Sequence, residues 1–354
     1  MIVVSLLLLA SADPATQNVS IFDPVSPPAE AIRNLSVLVL AITGFIFVVV
    51  EGVLIYSVVR FRRRAAPELA PVPANEPDAR AREAEPPQVY GSKPIEIAWT
   101  AAPALVIFIL VLVSARTLWE VNVPPPLSRA GDRSLFVTVV GHQWWWEYTC
   151  DYYNGRRLGF TTANELHIPA SAKGMVRPVY LTLKSADVAH SFWVPRLAGK
   201  TDVIPGRVNS MWFQTERTGL YLGQCAEYCG TQHANMLIRV FVDSPSQFER
   251  WLEDQQQRAT EDPALKSGRS AFLAQSCVNC HRVHGTAAQG TYAPDLTHLM
   301  SRKTLASGMI ENTAENLRRW VADPQQVKPG CLMPAFGLSG REREEIVRYL
   351  LTLH

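Results

Sequence analysis

The sequence predicts a chain of three parts: a two-helix transmembrane hairpin, a small β-sandwich or barrel domain, and an all-α domain. Two long apolar segments flank an arginine-rich loop. Short apolar runs separated by Gly, Pro and Asp turns follow over residues 130–244, and short amphipathic helices follow over 267–354. The 354 residues are too many for one ordinary domain and suffice for two domains beside the hairpin.

The predicted hairpin covers residues 30–120, with helices at about 35–59 and 95–118. Each helix is close to the roughly 20 residues that span a bilayer. The loop at 60–94 begins with four arginines within residues 60–64, so the positive-inside rule places it in the cytoplasm. Everything after the second helix then lies on the outer face. The alternative is a pair of buried core helices.

Composition limits the remaining classes. Residues 1–12 form a short apolar run that ends in Ala-Ser-Ala, which predicts a signal peptide; a misassigned start codon is the alternative. The formal net charge of +2 gives no argument for a nucleic-acid partner. The loop at 65–87 is rich in proline, alanine and glutamate, which favours an extended segment.

The β domain opens with a mostly apolar strand at 135–140 that we expect to be buried on both faces. A linker helix and hinge are predicted at 245–266, where Ser246 and Glu249 form a capping box. In the last domain Thr313 is predicted to cap a helix, and Ser339 with Glu342 forms a second capping box.

One stretch of the β domain concentrates metal-binding side chains. Residues 223–236 have the sequence GQCAEYCGTQHANM, which holds Cys225, Cys229, His233 and Met236. Thiolates, imidazole and thioether are copper ligands, and one cysteine with His and Met would indicate a mononuclear site. Because two thiolates can each bridge two ions, this stretch predicts a binuclear copper site that transfers electrons.

The helical domain carries a second cofactor motif. Cys277, Cys280 and His281 form C-x-x-C-H, the attachment motif of a covalently bound c-type haem. A redox dithiol or half of a zinc site are the alternatives, but no second cysteine pair follows.

An electron-transfer haem needs a sixth ligand, and Met is the usual one. Met333 is preferred because it precedes Pro334 in a turn-rich segment; Met300 and Met309 are rivals. A main-chain carbonyl near Pro294 is expected to hold the His281 ring.

The chain resembles one family. Residues 141–146 (GHQWWW), 187–195 (DVAHSFWVP), 200–207 (KTDVIPGR) and the 223–236 motif look like subunit II of cytochrome c oxidase. The fused haem motif makes the chain similar to the bacterial caa-type form. The resemblance extends over nearly all of the chain from the first membrane helix and implies a cupredoxin-like β domain with a binuclear copper (CuA) centre.

The resemblance also implies roles for individual residues. Trp144 would be the residue at which electrons enter, and Glu96 would mark the entrance of a proton pathway in subunit I; a plain interfacial carboxylate is the alternative for Glu96. The Glu227 side chain would face a magnesium ion shared with subunit I. The implied CuA ligands are His190, Cys225, Glu227 through its carbonyl, Cys229, His233 and Met236.

As a function, the resemblance implies an electron-transfer subunit of cytochrome c oxidase in the bacterial plasma membrane, with both cofactor domains on the periplasmic or extracellular face. A c-type cytochrome or an upstream respiratory complex would reduce the haem c. Electrons would pass through CuA to subunit I, beside subunit III, for reduction of oxygen to water. The complete copper ligand set argues against a quinol oxidase. A copper-containing nitric oxide reductase stays open, and a copper carrier is a weaker rival.

Three features depart from the simple family pattern. Trp145 stands where tyrosine is common, Cys331 lies two residues before Met333, and Cys150 belongs to no motif. A Cys150–Cys331 disulfide is one alternative for the last two. Glu51 lies inside the first apolar segment, where a functional role and a contact with subunit I are equally favoured.

Overall fold

The computed structural model describes residues 19–62, 90–126, 133–259 and 265–354. The chain divides into two units, one of residues 34–118 and one that joins the residues up to 33 with 119–354. The signal peptide predicted at 1–12 lies outside the described residues, as does residues 63–89 of the predicted cytoplasmic loop.

Two long helices form most of the first unit. Helix α1 spans Pro27–Arg60 and helix α2 spans Lys93–Asn122, so both extend beyond the predicted segments. Both are long and apolar enough to cross a membrane. Large side chains such as Phe45 and Ile97 are exposed along them, as in a helix that is apolar all round and faces lipid.

The β domain consists of two five-stranded sheets, ordered β3-β2-β1-β5-β8 and β4-β10-β9-β6-β7. The inner faces of the two sheets form one hydrophobic core. The strands are β1 Leu135–His142, β2 Trp145–Tyr153, β3 Arg156–Ala163, β4 Glu165–Pro169, β5 Val179–Ser185, β6 His190–Trp193, β7 Thr201–Val203, β8 Asn209–Phe213, β9 Gly219–Cys225 and β10 Leu237–Asp243.

Strand β1 lies in the middle of its sheet, antiparallel to β2 and parallel to β5. Leu135, Val137 and Val139 are fully buried, whereas the alternate residues are half-buried. The prediction that this strand is buried on both faces is therefore wrong. Only one face meets the second sheet, and on the other Phe136 stacks on Tyr180 at 4.9 Å between ring centroids.

Helix α3, Pro245–Gln255, follows β10 and begins earlier than predicted. Ser244 is the N-cap, and its amide and hydroxyl donate to Gln247 Oε1 at 3.1 and 2.6 Å. The capping box predicted at Ser246 and Glu249 is wrong, because Pro245 is suited to the first helical position and sets the start of the helix. The helix packs on the β core through Phe248.

The last domain is mostly helical and has its own hydrophobic core. Thr313 accepts a hydrogen bond from the Asn316 amide at 3.2 Å, and Ser339 with Glu342 forms a capping box, so both predicted helix starts are confirmed. The elements are α4 Lys266–Ala274, α5 Cys277–Cys280, β11 Thr304–Leu305, β12 Ile310–Glu311, α6 Ala314–Ala322, α7 Pro324–Val327 and α8 Gly340–Leu350.

Candidate metal and haem sites

One end of the second sheet brings the predicted copper ligands together. Cys225 ends β9 and His190 begins β6, and both are buried. Cys225 Sγ lies 3.8 Å from Cys229 Sγ, 3.9 Å from His190 Nδ1 and 3.2 Å from the Glu227 carbonyl oxygen. Thus the two thiols, the upstream histidine and the carbonyl meet at one point.

The other two predicted ligands both lie close to the sulfur of Cys229. His233 begins a single 3₁₀ turn, His233–Asn235, and Met236 follows it. Cys229 Sγ lies 3.6 Å from His233 Nδ1 and 3.9 Å from Met236 Sδ. Sulfur and imidazole donors at these spacings fit copper, so the residues present match a CuA centre.

The electrostatics of the pair favour metal binding. The contact between the two sulfurs, together with hydrogen bonds to His190 and the Ser191 amide, outweighs burial and lowers the pKa of the Cys225 thiol. Because the thiolate is the metal-binding form, the lowered pKa of Cys225 favours metal binding there. Burial lowers the pKa of His190, but its contacts with Asp187 and Cys225 outweigh burial and raise it overall.

Asp187 is a positioning residue that the sequence analysis missed. Its Oδ1 lies 2.8 Å from His190 Nε2, and its Oδ2 accepts a hydrogen bond from the Gln143 amide at 2.6 Å. These contacts turn Nδ1 of the His190 ring toward the cysteines, as expected of a carboxylate behind a metal ligand. A carboxylate three residues before a ligand histidine was the available signal. Gly141 leaves room for the ring, since a Cβ there would lie 2.8 Å from His190 Cδ2.

Trp144 lies next to the copper-ligand group and is only 9 % exposed. Its indole Nε1 donates to the Cys229 carbonyl at 2.9 Å. Its own carbonyl accepts hydrogen bonds from Ser307 Oγ at 2.6 Å and Lys328 Nζ at 2.8 Å, both in the helical domain. Gly230 permits this packing, because a Cβ there would lie 3.0 Å from the indole.

The helical domain contains a cavity lined by Cys277, Cys280, His281 and Met333. The short helix α5 carries both thiols, and His281 follows it directly. His281 Nδ1 donates to the Pro294 carbonyl at 2.8 Å, which confirms that predicted contact and leaves Nε2 free to bind iron. Burial lowers the pKa of His281, which favours the neutral, ligating imidazole. The donor set fits a covalent haem.

Among the described residues that line this cavity, Met333 is the one methionine. Its rival Met300 packs against the helical-domain core instead, and its amide donates to the Leu353 carbonyl at 2.8 Å. The geometry therefore favours Met333 over Met300 as the axial ligand. Trp144 lines the same cavity, so it adjoins the haem site as well as the copper-ligand group.

The other predicted side chains have the following surroundings. Glu227 is half-exposed, and its carboxylate lies 3.8 Å from Lys200 Nζ. Glu96 is exposed in the first turn of α2, and Glu51 is half-buried in α1. Trp145 stacks on the ring of His142 at 4.2 Å.

Cys150 and Cys331 are both free, so the disulfide considered between them is not formed. Cys150 is buried in the β core, and burial raises the pKa of its thiol. Cys331 lines the haem cavity, and Gln325 Nε2 donates to its sulfur at 3.3 Å.

Two protein-family models match separate parts of the chain, in agreement with its division into a β domain and a helical domain. Residues 135–242 match the family described as cytochrome c oxidase subunit II, periplasmic domain, and residues 265–354 match the cytochrome c family. The crystal structure of the periplasmic domain of subunit II of cytochrome oxidase from Bradyrhizobium japonicum is 30 % identical and covers 34 % of this chain and 93 % of that one, with a TM-score of 0.31.

Two relatives match over much more of the chain. Cytochrome c oxidase subunit 2 of Alkalihalophilus pseudofirmus is 32 % identical over 341 residues, which cover 95 % of this chain and 91 % of the relative. Cytochrome c oxidase subunit 2 of Bacillus sp. strain PS3 is 33 % identical over 284 residues, 76 % of each chain. Together with the His, Cys and Met cluster and the haem motif, this shows that the chain belongs to the cytochrome c oxidase subunit 2 family, in a form with a C-terminal cytochrome c domain.

Proposed function

We propose that this chain is the subunit through which electrons reach a bacterial oxygen-reducing oxidase. A c-type cytochrome or an upstream respiratory complex reduces its haem c, and the electrons continue by way of CuA to subunit I, where oxygen is reduced to water. When bound, the haem and the copper pair supply one-electron redox chemistry, while the chain positions them. The observation that carries the proposal is that Trp144 adjoins both sites.

The geometry of the two sites supports the residue roles that we propose. Cys277 and Cys280 would attach the haem, and His281 and Met333 would hold its iron. Asp187 holds the ring of one copper ligand, and Trp144 contacts the carbonyl of another. The proposed CuA ligands are His190, Cys225, Glu227 through its carbonyl, Cys229, His233 and Met236.

We place the chain in the plasma membrane, with α1 and α2 crossing the bilayer and the two cofactor domains on the periplasmic face. The arginines at the end of α1 support this orientation. The exposed apolar surfaces of α1 and α2 suit contact with lipid and with subunits I and III. We assign Glu96, in α2, to the entrance of a proton pathway, and the Glu227 carboxylate, in the β domain, to a magnesium ion shared with subunit I.

The purified membrane complex tests this function. It should consume oxygen when supplied with reduced cytochrome c, and its large subunit should be identified by mass spectrometry. The 39.3 kDa band should retain haem on a denaturing gel, and metal analysis should give two copper ions for this chain beyond those of subunit I. One copper per chain, or haem lost on the gel, would contradict the assignment. Turnover of nitric oxide in place of oxygen would favour a reductase.

A further inference from the structure

Lys328, a buried lysine of the helical domain, contacts the β domain. Lys328 is 3 % exposed, and its Nζ donates to the main-chain carbonyls of Trp144 at 2.8 Å, Asn235 at 3.0 Å and Ala306 at 3.4 Å. Burial of an ammonium group is costly unless it is well hydrogen-bonded. Burial lowers the pKa of Lys328 to about 7. Because burying this ammonium group is costly, the position of Lys328 needs a reason that an exposed surface lysine would not.

Two of its three acceptors belong to the copper-binding side. Trp144 donates from its indole to the carbonyl of the proposed ligand Cys229. Asn235 ends the 3₁₀ turn that begins with His233, and it directly precedes Met236. Lys328 itself lies in the segment that leads to Met333, beside the haem cavity. The Lys328 side chain therefore links the main chain beside the proposed copper ligands to the segment that carries Met333.

Other contacts across the same surface hold the domains in one arrangement. Ser307 Oγ also donates to the Trp144 carbonyl, and Arg239 Nη2 donates to the Gly308 carbonyl at 2.9 Å. Like Arg239, Glu165 belongs to the β domain; it is 1 % exposed, and its carboxylate accepts from the Lys303 amide at 2.9 Å and from Thr304 Oγ1 at 2.6 Å. Each domain thus places one buried charged side chain on the other.

We propose that Lys328 is a positioning residue that holds the cytochrome c domain on the β domain, with Trp144 enclosed between the two cofactor sites. Enclosed in this way, Trp144 receives electrons from the chain's own cytochrome c domain and is closed to an external cytochrome, which must approach the haem instead. The inference rests on the proposed function. It adds that the contact between the two domains, and not only the two sets of ligands, sets the rate of electron transfer from the haem to copper.

The test compares Lys328→Met with Lys303→Met in the intact, cofactor-loaded oxidase complex. Lys303 is a matched control, because its side chain is exposed and only its main-chain amide contacts Glu165. Hydroxyl-radical footprinting reports the exposure of Trp144 independently of turnover. Flash reduction of the haem reports the rate at which electrons reach copper.

In Lys328→Met we expect labelling of Trp144 to rise about fivefold and the internal transfer to slow roughly tenfold, while an external cytochrome reduces the haem at an unchanged rate. Lys303→Met should behave like the wild type. If Lys328→Met fails to assemble, Ser307→Ala removes the other donor to the Trp144 carbonyl and leaves Lys328 in place. It should change the labelling of Trp144 and the rate of electron transfer to copper about threefold.

Unchanged protection of Trp144 in an assembled Lys328→Met complex, or in Ser307→Ala where that variant replaces it, would overturn the inference and leave the proposed function intact. A wild-type complex in which electrons on the haem never reach copper would defeat the proposed function, whatever the labelling shows.

Discussion

Contacts of single atoms decide how the copper-ligand residues face one another. The ring of His190 presents Nδ1 to the thiols because Nε2 is held by Asp187, and Gly141 lets the ring approach β1. The contact with Cys229 is the main cause of the lowered pKa of the Cys225 thiol. The site is therefore arranged for a cation by its own hydrogen bonds.

Cys225→Ser should abolish the mixed-valence copper spectrum and leave the haem spectrum intact, because a hydroxyl cannot bridge two coppers as a thiolate does. Optical and electron paramagnetic resonance spectra of the complex measure this. Cys331→Ser is the control, since that thiol lies at the haem cavity and not in the copper group. Loss of both spectra in Cys225→Ser would mean that the two domains do not hold their cofactors independently.

Met333→Ala should make the haem high-spin or leave it bound by a foreign ligand, because the sixth position loses its thioether. The absorption spectrum of the reduced and oxidised complex records the change. Met309→Leu serves as the control, and its spectrum should match the wild type. An unaltered spectrum in Met333→Ala would move the axial ligand to Met300 or Met309.

At the scale of an element, helix α3 closes one edge of the β core and is more than a linker. Phe248 is fully buried, and its ring meets Tyr153 edge-on at 5.1 Å between centroids. Trp251 packs on His167 at 4.7 Å. Since these contacts bury the apolar face of the helix, the helix belongs to the β domain.

Phe248→Ala should lower the free energy of unfolding of the β domain by about 3–5 kcal/mol, through lost burial and the cavity left behind. The temperature at which the copper absorption disappears in the solubilised complex measures this loss. The matched control is Glu253→Ala, an exposed position in the same helix, with an expected change within about 0.5 kcal/mol. Equal midpoints for the two variants would show that α3 does not support the copper domain.

Element boundaries show where sequence patterns succeed and where they fail. Thr313 and the Ser339–Glu342 pair start helices as predicted, because a cap depends on residues within one turn. The start of α3 was misplaced by two residues because two serines compete there and Pro245 decides between them. The exposure of the outer face of β1 depends on which layer covers it, and local sequence does not record that.

At the scale of the whole molecule, the main expectation is the order of electron transfer, in which the haem is reduced before copper. Trp144→Phe should leave reduction of the haem by an external cytochrome unchanged and slow the passage of electrons to copper about tenfold, because the indole contact with the Cys229 carbonyl is lost. Stopped-flow absorbance resolves the two steps. Trp251→Phe, within α3, is the control variant. Slower reduction of the haem in Trp144→Phe would contradict the proposed order.

The sequence by itself determined the three-part architecture and most of the cofactor chemistry. Apolar length predicts the two membrane helices, and the 223–236 and 277–281 motifs hold their ligands within a few residues. These features are local, so they can be recognised in a single sequence. His190 entered only through the family resemblance, since 35 residues separate it from Cys225.

Tertiary structure alone decided how the two cofactor domains meet. Lys328 and Trp144 stand 184 residues apart, and Glu165 and Lys303 stand 138 apart, so no local pattern links them. Their contacts depend on main-chain carbonyls and amides, which every residue carries and which no sequence letter distinguishes. The enclosure of Trp144 between copper ligands and haem cavity is therefore a property of the fold.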